Sequence, residues 1–194
     1  MPPQKKISKE DIEEAAFLIA KEEGFSGITA RNVAKHLGCS VAPIYVNFTT
    51  IDVLIEAVIV RVFAISDELL AKQKGQYAFE NVGKASLAFA REYPVFFREL
   101  IMQPNPYMDS YDAVEKKILE QLAEAESMSG WTLEERRNLL LRMRIFQTGL
   151  SVMIANGHIP SWLDDKAVEA VLFETGRDLL CIQKMKREGN IKNE

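Results

Sequence analysis

The feature that most constrains the fold is an apolar period of three to four residues along almost the whole chain. The first segment has one apolar stripe, formed by Ile12, Ala15, Ala16, Ile19 and Ala20. Side chains at this spacing lie on one face of an α-helix. Ser8, followed three residues later by Asp11, is a helix-start signal, and Gly24 and Gly27 mark the end. The pattern predicts an amphipathic helix here.

Further segments with the same period lie between glycines and prolines that break helices. They predict helices over 29–37, 40–47, 50–74, 77–92, 94–100, 109–127, 132–156 and 165–187. Thr132 and Glu135 form a capping box before the seventh of these segments. Because no segment shows the strict alternation of a strand, the sequence predicts an all-α fold with about nine helices.

Composition excludes several classes of protein. The length of 194 residues allows one domain, or a small domain joined to a medium one. Hydrophobic residues at 47% and charged residues at 27% exclude a disordered chain. A net charge of −4 excludes a general polycation that coats nucleic acid. Any contact with nucleic acid must therefore be local.

The cysteines and the N-terminal segment both favour a soluble, cytoplasmic protein. Cys39 and Cys181 have no CxxC partner, which argues against a disulfide framework or a zinc site. The basic start is not followed by an apolar stretch of signal-peptide length. Glu56 and Arg61 interrupt the most apolar run, 53–65, which is too short and too charged to span a bilayer.

Residues 29–48 combine two short predicted helices with a glycine between them. Gly38 stands where the chain must turn, since glycine reaches a positive φ without steric cost. We expect Ser40 to be the N-cap of the second helix, with Pro43 in its first turn. Apolar contacts between the two helices would come from Val33, Leu37 and Ile44. A helix that starts in this way presents its N-terminal end outward, as helix-turn-helix proteins do toward the major groove.

The charge pattern around these two helices favours contact with phosphates. No Asp or Glu occurs between Gly24 and Ile51, whereas Arg31 and Lys35 are basic. A basic arm precedes the first helix and consists of Lys5, Lys6 and Lys9. A surface that meets the DNA backbone should lack acids, because each one would repel the phosphates.

Residues 8–55 resemble the DNA-binding domain of the tetracycline-repressor (TetR) family, over about a quarter of the chain. The matching positions are Gly27-Ile-Thr-Ala-Arg31, Val33-Ala34, Leu37-Gly38, Ser40, Ile44-Tyr45, Phe48 and Leu54. The resemblance implies a helix-turn-helix domain over 1–52 and a helical effector-binding and dimerisation domain over 53–194. It further implies a homodimeric regulator, most simply a repressor, that binds a palindromic operator in double-stranded DNA. A small molecule bound to the C-terminal domain would release it.

The resemblance also implies which residues contact DNA: Thr29, Arg31, Ser40, Val41, Ala42, Pro43, Tyr45, Asn47 and Thr49. Ile44 and Phe48 are expected to pack in the core. The chain departs from the family at Asn47, where a His is common, and at Ile51, where a Lys is common. The apolar side chains at the start of the second helix can touch thymine methyl groups but donate no hydrogen bonds. The operator sequence is therefore not predicted.

The long helix predicted over 132–156 is apolar around much of its circumference and must be covered on several sides. The resemblance implies a four-helix dimer interface from the last two helices of each subunit. The expected interface residues are Phe146, Gly149, Leu150, Met153, Leu172, Gly176 and Leu179. Each mid-helix glycine costs about 1 kcal/mol relative to alanine, which close helix approach would offset. The alternative is one monomer core that uses all of these residues.

Large, soft or aromatic side chains in the C-terminal part would suit the wall of a pocket for an apolar or aromatic effector. The candidates are Phe89, Phe96, Met102, Tyr107, Met143 and Phe146, with Gln147 and Arg144 as polar anchors. The alternative for most of them is simple core packing, because aromatic residues at helical spacing are usually core residues.

Nothing in the sequence favours an enzyme, a cofactor site or a metal site. His36 and His158 have no motif-spaced carboxylate or nucleophile, and common catalytic and nucleotide-binding motifs do not occur. The remaining alternative is a helical protein-interaction module with weakened or lost DNA binding. Ile51 and the uncharged start of the second helix support that alternative.

Overall fold

The structure is a computed structural model that describes residues 7–75, 78–104, 106–107, 112–124 and 128–189. Within these ranges the chain forms nine α-helices and no strand, which confirms the predicted all-α fold. The helices are α1 Lys9–Glu23, α2 Ala30–Leu37, α3 Ala42–Asn47, α4 Ile51–Ala71, α5 Ala78–Glu92, α6 Pro94–Ile101, α7 Asp112–Glu124, α8 Leu133–Ala155 and α9 Asp165–Arg187. A 3₁₀ turn over Phe25–Gly27 follows α1. No helix in the described part of the chain is long and apolar enough to cross a bilayer.

Capping boxes are present at two helix starts, one at the predicted helix-start signal of α1 and one at the predicted box of α8. The Ser8 hydroxyl accepts from the Asp11 N–H at 3.0 Å, and the Asp11 carboxylate accepts from the Ser8 N–H at 2.9 Å. Thr132 and Glu135 make the same reciprocal pair at the start of α8. The Thr132 N–H, 2.7 Å from a Glu135 oxygen, holds the pKa of that carboxyl below its usual range. Both helices therefore begin where the sequence predicts.

Several predicted helix ends differ from the structure by a few residues. The helix predicted over 50–74 is α4, which spans Ile51–Ala71. Tyr77, Asp109 and Ser127 were expected at helix ends and lie outside the described residues. Helix ends fray, and a hydrophobic period defines a helix interior better than it defines the terminal turn.

The chain divides into two compact units. Unit 1 comprises the described residues up to 68 together with 93–107, and unit 2 comprises 69–92 together with the described residues from 112 onward. Helix α6 belongs to unit 1 although it is far from the other helices of this unit in sequence, and it packs on α1. The boundary at 52/53, which the resemblance implies for the functional domains, stays a prediction.

The core of unit 1 contains an aromatic cluster. Phe96 of α6 lies with its ring centroid 5.6 Å from that of Phe17 in α1 and 5.5 Å from that of Phe25. Tyr93 and Tyr107 flank this group. Aromatic pairs at these distances contribute beyond simple burial of area. The cluster joins α6 to the end of α1, and so to the chain that leads into α2.

A carboxylate closes the junction between α1 and the 3₁₀ turn. The Phe25 N–H donates to Glu99 of α6 at 2.7 Å. Gly24 has φ 84°, and a Cβ at this position would collide with the Glu99 carboxylate. Glycine is favoured here by its positive φ, and a larger residue would also displace the end of the Glu99 side chain.

Unit 2 is built from α5, α7, α8 and α9 around two apolar clusters. One cluster contains Leu87, Leu150, Val168 and Leu172, and the other contains Met128, Trp131, Leu139 and Met143. Helices α5 and α9 approach closely at Gly83, where an added Cβ would lie 2.7 Å from a Leu172 methyl carbon. The two clusters bury one side of α8 along much of its length.

Candidate nucleic-acid interface

Helix α2 has defined caps at both ends. At its start the Thr29 hydroxyl accepts from the Asn32 N–H at 3.1 Å, so Thr29 is the N-cap. At its end Gly38 adopts φ 65° and ψ 34°, and the Cys39 N–H donates to the Ala34 carbonyl at 2.9 Å. This left-handed glycine confirms the predicted turn between the two helices.

The start of α3 differs from the prediction by one residue. Val41, and not Ser40, is the N-cap, and no described side chain makes a cap hydrogen bond there. The Val41 carbonyl accepts the first helical hydrogen bond from the Ile44 N–H at 3.1 Å, so Ser40 lies one residue too early to cap. Pro43 stands in the first turn, as predicted, where its missing N–H costs nothing.

One side of the helix-turn-helix segment is buried in the core of unit 1. Ile44 and Val33 are fully buried and Phe48 is buried, which confirms their predicted packing role. Ile44 and Phe48 are four residues apart, and a separation of four places both on one side of a helical turn. Of the remaining α3 positions, Ala42, Tyr45 and Val46 are exposed, whereas Pro43 and Asn47 are half-buried.

The outward side of α3 is apolar. Val41 is 43% exposed, Tyr45 54% and Val46 82%, and Ala42 is also exposed. We call these four side chains the apolar α3 face. Val46 was not among the predicted contact residues, although it lies midway between two core positions and so points away from both. That spacing is a signal by which it can be found in the sequence.

Exposed cations lie on α2, the first helix of the same segment. Arg31 and Lys35 are both exposed and are four residues apart, so they share one side of that helix. His36 is exposed next to them. Of the predicted basic arm, Lys5 and Lys6 lie outside the described residues, while Lys9 Nζ lies 3.6 Å from Glu13 and 5.3 Å from the centroid of the Phe48 ring.

The predicted contacts at the end of α3 and just after it differ in their exposure. Thr49 is exposed, whereas Asn47 is half-buried and its amide nitrogen donates to the Pro43 carbonyl at 2.8 Å. Ile51 is half-buried as the first residue of α4. The Thr50 hydroxyl accepts from the Val53 N–H at 3.3 Å and so caps that helix. Thr49 is thus the more accessible of the two predicted contact residues.

The predicted effector-pocket residues are divided between the two units. Phe96, Tyr107 and the exposed Met102 belong to unit 1, where Phe96 is a fully buried member of the aromatic cluster. In unit 2, Met143 and Phe146 pack against different apolar clusters. Phe89 is buried there, and Gln147 is half-buried.

A groove of about 380 Å³ in unit 2 lies elsewhere on α7 and α8. Its walls are formed by Glu115, Glu134, Arg137, Asn138, Leu140, Leu141 and Arg144. Arg144 is the one predicted anchor that contributes to it. Inside the groove, Arg137 Nε lies 3.1 Å from a Glu115 oxygen. The place of an effector therefore stays a prediction.

The predicted dimer residues differ in their exposure. Leu150 of α8 and Leu172 of α9 are buried in the same apolar cluster of unit 2, and their role in a dimer interface stays a prediction. Gly176 is buried, and Phe146 and Leu179 are half-buried. Gly149 and Met153 are exposed on α8.

The exposed glycine and methionine continue a longer apolar ridge along α8. Leu141, Ile145, Gly149 and Met153 follow one another at intervals of four residues, and all are exposed. We call these four residues the α8 ridge. No described atom of another element lies within 4 Å of where a Gly149 Cβ would stand. This glycine is therefore not needed for close packing between helices of the same chain. Residues at such intervals form the ridges by which helices pack.

Comparison with known proteins gives no assignment. No model of a protein family matches the chain, and no characterised protein matches it.

Proposed function

We propose that this protein is a DNA-binding transcriptional regulator of the TetR type. In this proposal it is a repressor that binds a palindromic operator as a homodimer and is released by a small molecule. The observation that carries the proposal is the helix-turn-helix segment, in which α2 and α3 are joined by the left-handed Gly38 and α3 leaves one side exposed. Such a segment places the second helix in the major groove.

The distribution of charge supports DNA as the partner. The protein carries a net charge of −4, yet the 28 residues from Gly24 to Ile51 contain no acid. Arg31 and Lys35 are exposed within that stretch. An acid-free stretch with exposed cations in an acidic protein is suited to a polyanion, because phosphates are attracted there and repelled elsewhere.

The α8 ridge supports a homodimer. A single-sided apolar ridge on a long helix can be covered by the same ridge of a second copy, related by a two-fold axis. Two copies related in this way present two α3 helices, which explains why the operator would be a palindrome. We further propose a cytoplasmic location and an apolar or aromatic effector bound by the C-terminal part of the chain.

The test is an electrophoretic shift measured over a series of salt concentrations. The probe is the promoter DNA next to the protein's own gene, because regulators of this kind often lie beside their targets. We expect binding at nanomolar to micromolar protein that weakens steeply with salt. Absence of a shift on this and on pooled genomic fragments at low salt would contradict the proposal.

A matched pair of double variants makes the test specific. Arg31→Ala with Lys35→Ala removes two exposed cations from α2, and the slope of log K against log salt should fall by about two units. Lys166→Ala with Arg177→Ala removes the same charge from exposed positions of α9. The control pair should leave the slope unchanged, because its cations lie outside the acid-free stretch.

The second candidate is a helical protein-interaction module, which the uncharged α3 face favours. It predicts that the α3 face binds a protein surface and that DNA binding is absent or insensitive to the Arg31 and Lys35 variants. The same salt series distinguishes the two candidates. A slope near zero would favour the interaction module.

A further inference from the structure

The composition of the apolar α3 face limits which groups of the DNA bases it can recognise. Its members are Val41, Ala42, Tyr45 and Val46. The Tyr45 hydroxyl is the single hydrogen-bonding group among these four side chains. Asn47 carries the one side-chain amide on α3, and its nitrogen is bonded to the Pro43 carbonyl. The helix therefore lacks the groups that usually recognise guanine or adenine, which are arginine, lysine and free amides.

The major groove offers one apolar group to such a face. Each base pair presents donors and acceptors there, and thymine alone among the four standard bases adds a C5-methyl group. Valine and alanine against a hydrogen-bonding base edge would displace its water and leave it unpaired, which is costly. Against a methyl group the same side chains bury apolar surface, which is favourable.

We propose that the apolar α3 face selects DNA by the C5-methyl groups of pyrimidines, with Val46 and Val41 as the residues that determine specificity. The inference rests on the proposed function and names the kind of DNA site that function requires. The ligand chemistry is a methylated pyrimidine edge, supplied by thymine or equally by 5-methylcytosine. Arg31 and Lys35 then position the helix on phosphates and read no sequence.

Charge favours DNA over a protein as the occupant of this face. Exposed cations and an absence of acids over 28 residues would help a protein partner only if that partner were acidic, whereas every DNA duplex carries phosphates. For DNA the two features have separate uses, because cations hold the backbone while apolar side chains meet the bases. The 82% exposure of Val46 also means that substitution there does not disturb the core.

The first experiment selects duplexes from a random-sequence pool with the full-length protein. Each thymine in the selected half-site is then replaced, one at a time, by deoxyuridine, which lacks only the methyl group. Burial of one methyl is worth about 0.8 kcal/mol, so each contacted methyl removed should weaken binding about fourfold. The salt slope should not change, because no phosphate contact is lost.

A second arm separates the methyl group from the thymine base. A contacted T·A pair is replaced by C·G and then by 5-methylcytosine·G. We expect the change to C·G to weaken binding. The change to 5-methylcytosine·G should then raise the affinity about fourfold, since it returns only the methyl group. Equal affinity for cytosine and 5-methylcytosine at every contacted position would overturn the inference.

A pair of variants assigns the effect to α3. At the position that Val46 contacts, Val46→Ser should bring the ratio of the affinities for the thymine and deoxyuridine duplexes close to one. Val60→Ser is the matched control, because Val60 is 69% exposed on α4 and lies outside the apolar α3 face. The control should keep the wild-type ratio. A ratio that is unchanged in Val46→Ser would overturn the role of this residue.

The outcomes distinguish this inference from the proposed function. Salt-dependent binding with no loss on deoxyuridine replacement would leave the regulator in place and overturn methyl recognition. Failure to select any duplex would overturn the proposed function, and methyl recognition with it. Graded losses at specific thymines, abolished by Val46→Ser, would support both.

Discussion

The apolar α3 face and the α8 ridge are both exposed and apolar, yet their surroundings differ. The face of α3 lies in a stretch without a single acid, on a helix of six residues. The ridge of α8 lies on a helix of 23 residues whose sequence mixes acids and arginines. Exposed apolar side chains alone therefore do not define a partner. The charges nearby in the sequence indicate which partner fits: a stretch free of acids suits a polyanion, and a helix with charges of both signs suits another protein.

The two surfaces are also supported differently. Helix α3 packs on α1 and α2, and α1 is held in turn by α6 through Phe96 and Glu99. Helix α8 is buried on one side by α5 and α9. If the α8 ridge and the apolar α3 face bind different partners, changes on α8 alter self-association, and changes in unit 1 alter DNA binding or the stability of that unit.

The largest effect is expected for Gly149→Leu on the α8 ridge. Overpacking costs about 1–3 kcal/mol, and a two-fold interface contains the substitution twice, so self-association should weaken by about 2–6 kcal/mol. The protomer should stay folded, because no described atom of another element lies within 4 Å of the new Cβ. Sedimentation measures the oligomer and circular dichroism the fold, with Gly149→Ala as the smaller step. A wild type that sediments as a monomer at micromolar concentration would contradict this account of α8.

The next largest effect is expected at Glu99, whose replacement should lower the stability of unit 1 and leave α8 unaffected. Glu99→Ala leaves the part-buried Phe25 N–H without its carboxylate partner and should cost about 1–3 kcal/mol of the free energy of unfolding of unit 1. Glu99→Gln keeps an acceptor oxygen and should cost less. Exposed Glu22 provides the control, as Glu22→Ala. Hydrogen exchange should show faster exchange at the Phe25 amide and unchanged protection in α8; loss of protection in both units alike would refute the separation.

Arg31→Ala should weaken operator binding without loss of fold. Arg31 is exposed on α2 within the acid-free stretch, so its replacement removes no core contact. The loss should be about 1–3 kcal/mol if Arg31 reads a base and smaller if it contacts only a phosphate. Affinities on operator and unrelated DNA distinguish these two roles. Unchanged affinity at physiological salt would place Arg31 outside the interface.

The smallest effect is expected for Ile51→Lys. A lysine at the start of α4 should add one phosphate contact, tighten binding to any sequence and steepen the salt slope by about one unit. Ile51 is half-buried, so the melting temperature must be measured on the same variant. A stable variant with an unchanged slope would show that position 51 does not face DNA. A drop in both melting temperature and affinity would mean that Ile51 packs beneath α3.

Local signals in the sequence were sufficient for most of the fold. The apolar period, the two capping boxes and Gly38 predict elements that the structure contains, because caps and turns depend on neighbouring residues. The candidate interface was also largely accessible to sequence reasoning. Val46 was missed although its spacing from Ile44 and Phe48 reveals it. The N-cap of α3 was assigned to Ser40, one residue too early, because a serine three residues before a proline resembles a cap.

The sequence by itself therefore determined the helices, their order and the acid-free stretch that contains α2 and α3. Tertiary structure alone decided that Glu99 binds the Phe25 amide, 74 residues away, and that Leu150 and Leu172 lie in the core while Gly149 stays exposed. The physical reason is that a helical period shows which residues share a side of a helix. Which neighbour covers that side depends on contacts between helices distant in sequence, and the period contains no information about them.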